Sequence, residues 1–453
     1  MKAAAREAVA VSTGVLVVSA AFLLPHLHLH SLAVTPLIHA TPKRFAAFAG
    51  TAPIFGWWDA HVGWGTLAAA VLGVAAVWWG PAVAQRLPWQ ALTFVTWLTS
   101  ACWAFSLAMI DGWHRGFAGR LTAEHEYLRQ VPTVTSIPEA LRTFASRIPD
   151  FKPHSWITHV SGHPPGALLT FVWLDRTGLG GGAWAGLLCV LVGSSAAAAV
   201  IVTLRAVGDE ITARRAAPFV ALAPTAIWVA VSADGYFAGV AAWGIALFAL
   251  ATRSACWWSV LLGAGAGLLL GWAVFLSYGM TLMSLLVLAV LVSTSDWRAA
   301  VRALVPAVLS ALAVVAAFAI AGFWWFDGYV LVQQRYWQGI ARDRPFQYWG
   351  WANLASVVCA IGLGTLAGIG RVFDIACIRR RSGLHLLVLA AMTAIMAADL
   401  SQLSKAETER IWLPFMVWLT AATALLPARS QRWWLAVNII GALVLNSFIF
   451  TNW

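Results

Sequence analysis

In a chain of 453 residues that is 61% hydrophobic and only 10% charged, the ionisable residues are few enough to weigh one by one. The first group is Ile110-Asp111-Gly112-Trp113-His114-Arg115, which follows an apolar run directly, so that Asp111 stands where hydrocarbon gives way to water. A carboxylate there is partly desolvated and suited to accept a proton, whereas a freely hydrated aspartate is a feeble base. An Asp-Gly pair is also an ordinary helix-ending turn, and Asp234-Gly235 and Asp327-Gly328 repeat it. Next comes Glu124-His125-Glu126-Tyr127-Leu128, with two carboxylates and an imidazole able to hold a cation or a hydroxyl-rich sugar. Residues i and i+2 do not share a helix face, and a solvated polar turn accounts for Glu124 equally well.

His154, His159 and the run Gly162-His163-Pro164-Pro165-Gly166 follow. Two prolines fix the chain just before a helix begins and leave His163 at its N-terminal end, where backbone N–H groups favour an anion such as phosphate. A plain helix cap is the alternative. His159 and His163 have metal-pair spacing, but the prolines break the helix that would bring both rings to one face, so no metal ligand is assigned. Further along, Arg335, Arg342, Arg344, Lys405 and Arg410 supply cations, with Asp343, Glu407 and Glu409 beside them. At least one cation is needed to hold a lipid phosphate and to stabilise it as a leaving group. The competing reading is headgroup binding or pairing with those carboxylates. Arg410 is the strongest candidate, because it enters an apolar run directly and would be costly there without an anionic partner.

The elements that must position these residues are membrane helices. A mean hydropathy of +0.77 and 28 Trp, many flanking apolar runs, mark an integral membrane protein with interfacial indoles. With about 20 apolar residues per span, helices are expected near 8–24, 64–80, 91–110, 183–205, 216–232, 236–251, 256–273, 276–293, 303–321, 350–370, 383–399, 411–427 and 433–450. That is an all-α polytopic chain of about thirteen spans. The loops then divide by charge: one side collects fifteen basic and five acidic residues in short loops, the other fourteen basic and thirteen acidic residues in long ones. The positive-inside rule makes the first side cytoplasmic, with the N-terminus in and the polar segments 25–63, 111–182, 322–349 and 399–410 out, in the plasma membrane.

Within 111–182, Ser136-Ile137-Pro138-Glu139 followed by Leu141, Phe144 and Ile148 predicts a capped, amphipathic helix lying on the membrane surface. The apolar run from Ala167 to Leu174 is too short to cross. Five cysteines show no paired spacing. The Pro25-His26-Leu27-His28-Leu29-His30 run reads as an interfacial turn. No GxxxxGK[ST] loop is present and the inner loops leave no room for a nucleotide domain, so ATP and nucleotide-sugars are not the expected substrates. The net charge of +11 points to the membrane, not to nucleic acid.

An acidic residue just after a span, a long outer loop with surface helices, a Pro-Pro-Gly entry into a half-embedded helix, the basic Arg214-Arg215 loop and the outer Asp234 together resemble the integral-membrane type C (GT-C) glycosyltransferases. More narrowly, Glu126-Tyr127-Leu128, Gly162-His163-Pro164-Pro165-Gly166, Ser232-Ala233-Asp234 and Glu407-Thr408-Glu409-Arg410-Ile411-Trp412-Leu413-Pro414 resemble actinobacterial membrane proteins of that class. The resemblance covers roughly 91–427, leaving 1–90 as an N-terminal hairpin with its outer loop and 428–453 as a last helix.

It implies a sugar taken from a polyprenyl phosphate on the outer face, mannose or arabinose by analogy, and given to a cell-envelope glycolipid or glycan. Asp111 would take the place of the class's base, with donor contacts at His163, Arg410, Arg342, Arg344, Lys405, Glu126, Tyr127, Asp234 and Glu407. No cofactor is assigned, and a requirement for a divalent cation is left open. Because this chain has an extra hairpin, Asp59 in Trp57-Trp58-Asp59-Ala60-His61 is the alternative base. A lipid or sugar transporter is the rival function. Transporters place ionisable residues near the midplane, whereas here the expected spans are almost free of charge and the polar residues crowd one face. An acyl- or phosphotransferase with His163 as nucleophile is a third reading.

Overall fold

A computed structural model describes residues 3–26 and 51–451; positions 27–30 of the His-rich run lie outside the described residues. Among the described residues, eight helices are long and apolar enough to span a bilayer: Ala3–Leu23, Trp64–Arg86, Trp89–Ala108, Gly182–Val207, Ala233–Ala251, Trp257–Leu276, Trp297–Ile320 and Gly383–Leu400. Phe346–Ile361 and Leu363–Val372, bent by 109° at their junction, make a ninth if taken together. The expected thirteen are not reached by these criteria, for local reasons. The run 216–232 is split into Glu210–Ala221 and the single turn Ala226–Val229, with Pro218 and Pro224 interrupting it. Tyr278–Ser293 and Leu413–Leu425 are shorter apolar segments. Ala428–Phe448 has the length but carries two arginines near its start and buries Gln431, Asn438 and Asn446.

The sharp bend is set by Gly362, whose φ of 77° only glycine adopts without strain, and a Cβ there would fall 2.5 Å from Asn438 Oδ1. That same oxygen accepts the Gly364 N–H at 2.7 Å, so an N–H freed at the break stays paired inside the protein.

Ion pairs define the two ends of the bundle. At one end Arg371 binds Glu7 at 2.7 Å, and Arg205 and Arg214 bind Glu210 at 2.9 and 2.6 Å. At the other end lie the long polar segments. There residues 113–161 fold as successive short helical turns around a small core that includes Tyr127, Leu141, Phe144, Ile148, Trp156 and Val160. Ser136 caps the helix Ile137–Thr143 as expected, its hydroxyl accepting the Glu139 N–H at 3.4 Å. Phe144 then packs edge-on against Phe323 with ring centres 5.5 Å apart, which docks this loop onto the segment beginning at 322. Pro165–Arg176, at about 1.5 Å per residue, is too short to cross, and its first eight residues are buried.

A feature the all-α expectation lacks is an antiparallel pair, Gly56–Trp58 with Ile449–Thr451, in the register Gly56↔Thr451, Trp57↔Phe450 and Trp58↔Ile449. Three-residue strands carry no usable periodicity. The pairing continues in Asp59 N–H to Phe448 O at 3.0 Å and His61 N–H to Ser447 O at 2.9 Å, and this is what places Asp59 and His61.

Candidate functional site

Asp111 lies in the turn that ends Trp89–Ala108, and its side chain is only 7% exposed. Oδ1 is 2.8 Å from His61 Nε2 and Oδ2 is 2.9 Å from Arg120 Nη2. The other nitrogen of His61, Nδ1, is 2.6 Å from the Asp59 carbonyl oxygen. A carbonyl can only accept, so Nδ1 is the donor of that bond and Nε2 is the nitrogen turned to the Asp111 carboxyl. The Asp59 carboxylate points elsewhere: it binds Arg115 at 3.0 Å and is 34% exposed. Arg115 and Arg120 both lie over the Phe450 ring, at 3.7 and 4.8 Å. The two candidate bases thus belong to one patch, joined through His61.

Beside this patch is a buried network that gathers most of the other expected residues. Glu126 Oε1 is 2.9 Å from His159 Nδ1. The Tyr127 hydroxyl is 2.8 Å from His163 Nδ1, which lies equally close to the His159 carbonyl. Arg410 donates to Asp234 Oδ2 at 2.7 Å and reaches Glu407 at 3.5 Å, and Arg344 binds the other oxygen of Glu407 at 3.0 Å. His163 packs on Phe237, ring centres 5.5 Å apart, one helical turn beyond Asp234.

Burial alone would push the Glu126 and Glu407 carboxyls up. The His159 ring, with Arg410, outweighs it at Glu126, and Arg344 and Arg410 do so at Glu407, so both titrate below the usual carboxylate range. Burial drives the His163 imidazole toward its neutral form and the Tyr127 phenol well above its ordinary range, so both enter any reaction as neutral groups. Arg120 is within electrostatic reach of Glu126 and links this network to Asp111.

Backbone strain concentrates here. Val231 (φ 51°) precedes the Ser232 cap of the helix that presents Asp234, and Ala406 and Glu407 (φ 68° and 61°) are consecutive left-handed residues that turn the chain so that Glu407 and Arg410 meet. A β-branched residue at positive φ is rare, and such strain gathers at functional sites.

Two expected residues stand apart. Arg342 is 70% exposed, with Asp343 at 3.4 Å, and does not enter the network, because it sits on the outer side of the turn Ile340–Asp343 while Arg344 points in. Lys405 contributes backbone instead of charge: its carbonyl accepts from Arg344, its N–H binds the Tyr336 hydroxyl at 3.0 Å, and its ammonium lies 4.7 Å over the Trp337 ring. For Arg410 the demand for an anionic partner is met by Asp234 and Glu407, without a ligand.

His61, Arg120, His159 and Glu409 hold parts that the sequence did not assign; the signals were the two-residue spacing of His61 from Asp59, the pairing of His159 with His163 and the place of Glu409 beside Arg410. Glu409 is wholly buried and accepts the Phe55 N–H at 2.9 Å. Burial, opposed by that hydrogen bond but aided by the charge of Glu407, raises its pKa to about 7. A raised carboxyl favours the fold at low pH and loses that contribution as pH climbs from about 4.5 to about 7, a span of about 3 kcal/mol. Glu409→Gln keeps the acceptor and removes the titration. Thermal unfolding at pH 5, 6, 7 and 8 should show a flatter profile for the variant and a higher Tm at pH 8; parallel profiles would refute a neutral Glu409.

Among the described residues no group of three or more His, Cys, Asp or Glu is placed to hold a metal ion. The sequence matches no known family profile and no curated protein. In three dimensions it is similar to the oligosaccharyltransferase of Archaeoglobus fulgidus. The apo form aligns with TM-score 0.54 at 13% identity, over 80% of this chain and 56% of that one. The form with zinc and sulfate aligns with TM-score 0.52 at 15% identity, over 80% and 53%. A third form, tethered to an acceptor peptide containing the NVT sequon, gives 0.51 at 13%, over 81% and 56%. This chain therefore spans just over half the length of the proteins it resembles. At such identity the likeness is one of fold, and it agrees with the type C architecture that the sequence motifs resemble.

Proposed function

We propose that the protein is a glycosyltransferase that moves a sugar from a polyprenyl phosphate to a glycolipid or glycan of the cell envelope, on the extracytoplasmic face. The observation that carries this reading is the gathering, at one end of a bundle with an oligosaccharyltransferase fold, of a carboxylate patch and a buried network of Arg410, Arg344, Asp234 and Glu407. An acceptor hydroxyl attacks the anomeric carbon, its proton passes to Asp111, and the bond to the phosphate oxygen breaks with inversion. Two lone-pair positions of the Asp111 carboxylate are taken by His61 and Arg120, which leaves others for the acceptor.

Charge accounting assigns the rest. Arg410 and Arg344 are countered by Asp234 and Glu407 within the buried network, so they fix it, whereas Arg342 pairs only with Asp343 at the exposed surface, where an ion pair is weak, and is the cation proposed to meet the lipid phosphate. Tyr127 donates a neutral hydrogen bond to the sugar or phosphate, the neutral His163, whose Nδ1–H is held by the His159 carbonyl, accepts one from a sugar hydroxyl at Nε2, and Glu126 orients His159. Mannose or arabinose is the proposed sugar, on the resemblance of the motifs alone.

The bent helix pair at Gly362 favours a transporter as the second reading, since broken helices form transport sites. Its surroundings, Asn438 and Pro224, are uncharged, however, while the ion pairs lie at the two ends of the bundle. Donor lipid moved across liposomes with no glycoside formed on any acceptor would decide for transport. The orientation is tested by cysteine labelling of intact cells: Ser136→Cys should react and Arg380→Cys should not, both positions being exposed. The reverse pattern would place the site on the cytoplasmic face and remove the polyprenyl donor from the account.

A further inference from the structure

At the end of the bundle opposite Asp111 and Asp234, a cleft of about 360 Å³ opens between the helices Trp89–Ala108, Ala196–Val207 and Ala233–Ala251. Its walls are Trp89, Val202, Arg205, Gly208, Leu250 and Arg253. Helices of 19 and 20 residues, rising about 1.5 Å per residue, separate it from Asp234 and Asp111 by roughly 30 Å, so no single ligand occupies both places.

Charge is unbalanced there. Glu210 is the carboxylate facing Arg205, at 2.9 Å, but the same group binds Arg214 at 2.6 Å. Arg214 is committed besides to the Ala84 and Leu87 carbonyls, and Asp209 to capping Thr212. Arg253 has no carboxylate within ion-pair distance among the described residues. Counting the shared Glu210, and about half a negative charge from each of the C-termini of Ala196–Val207 and Ala233–Ala251, against the guanidinium groups of Arg205, Arg214 and Arg253 leaves the mouth of the cleft cationic by about one charge. Arg205 also lies 4.4 Å over the Trp89 ring, which holds it at that mouth. Behind the cations the walls are apolar. Just past Arg253, Trp257 and Trp258 stack at 3.9 Å and are both more than half exposed, the placement of interfacial indoles, which puts Arg253 at headgroup level.

We propose that this cleft binds the phosphate of an anionic phospholipid, with Arg205 and Arg253 on the phosphate and Val202 and Leu250 against the glycerol and first methylenes. A soluble phosphate would satisfy the same cations but not the apolar wall. The site is independent of sugar transfer.

The test is retention of dioleoylphosphatidylglycerol against dioleoylphosphatidylcholine by the purified full chain, read by native mass spectrometry, with a parallel thermal-shift titration of inorganic phosphate against chloride at equal ionic strength. Each cation near a headgroup is worth about fivefold, so Arg205→Gln/Arg253→Gln should weaken phosphatidylglycerol retention about thirtyfold. Arg205→Lys/Arg253→Lys should keep most of it, and Arg215→Gln, exposed outside the cleft on the same face, should leave it unchanged. Stabilisation by inorganic phosphate that the double Gln variant loses, without selective lipid retention, would assign the same cations to a soluble phosphate. Equal retention of both lipids with no phosphate effect, or an equal loss in Arg215→Gln, would overturn the proposal.

Discussion

Asp111→Asn is expected to lower sugar transfer by about 10²–10⁴-fold, the usual worth of a positioned general base, while donor affinity stays near that of the wild type. A base acts on the transition state, whereas lipid affinity comes from apolar contacts and the cation on phosphate, so the loss should fall on kcat with KM for the donor held. The substitution is tolerable in the fold, since Arg120 retains its hydrogen bond to the Thr451 carbonyl at 3.1 Å. Asp59→Asn should cost far less: its carboxylate faces Arg115 at the surface, and its contact with His61 is made by the backbone. Full transfer by Asp111→Asn together with loss in Asp59→Asn would move the base to the first outer loop. Normal transfer by both would leave neither as the base.

The second large effect is on stability. Arg410→Gln leaves Asp234, 2% exposed, without its cation, and an uncompensated buried charge costs about 3–5 kcal/mol. Removing both partners is different, because a buried ion pair replaced by apolar groups of similar volume is often neutral or stabilising. Arg410→Met/Asp234→Leu should therefore recover much of the Tm lost by Arg410→Gln, yet remain without transfer activity, because Glu407 and the strained 406–407 turn lose the group that holds them. Thermal unfolding of wild type, Arg410→Gln and the double variant measures this directly. Arg410→Gln as stable as wild type would mean that the pair does not organise the site.

How much of this was legible in the sequence depends on range. Local features were: Ser136 as a cap, the short helix starting at Pro165, Asp111 at the end of an apolar run, and the need of Arg410 for a counter-charge. The identity of that counter-charge was not, because Asp234 is 176 residues away and only helix packing brings the two together. His61 and Asp111, 50 residues apart, meet because a three-residue strand pairs the first outer loop with the C-terminal residues, and nothing in the composition of Gly56–Trp58 announces a partner. Lys405 shows a different limit, since a residue that is a cation in the sequence serves here through its carbonyl. The span count differed because hydropathy averages over a window, whereas Pro218, Pro224 and Gly362 act at single residues.

The central claim is that this fold transfers a sugar from a polyprenyl phosphate. The direct measurement is incubation of membranes or purified protein with radiolabelled polyprenyl-phosphate mannose or arabinose and cell-envelope glycolipid, followed by separation of the products. Wild type should move label from donor to acceptor with inversion at the anomeric carbon, and Asp111→Asn should retain bound donor but form product at least about a hundredfold more slowly. Label that stays on the donor with wild type across both sugars, while the protein carries donor from one leaflet to the other, would contradict the account.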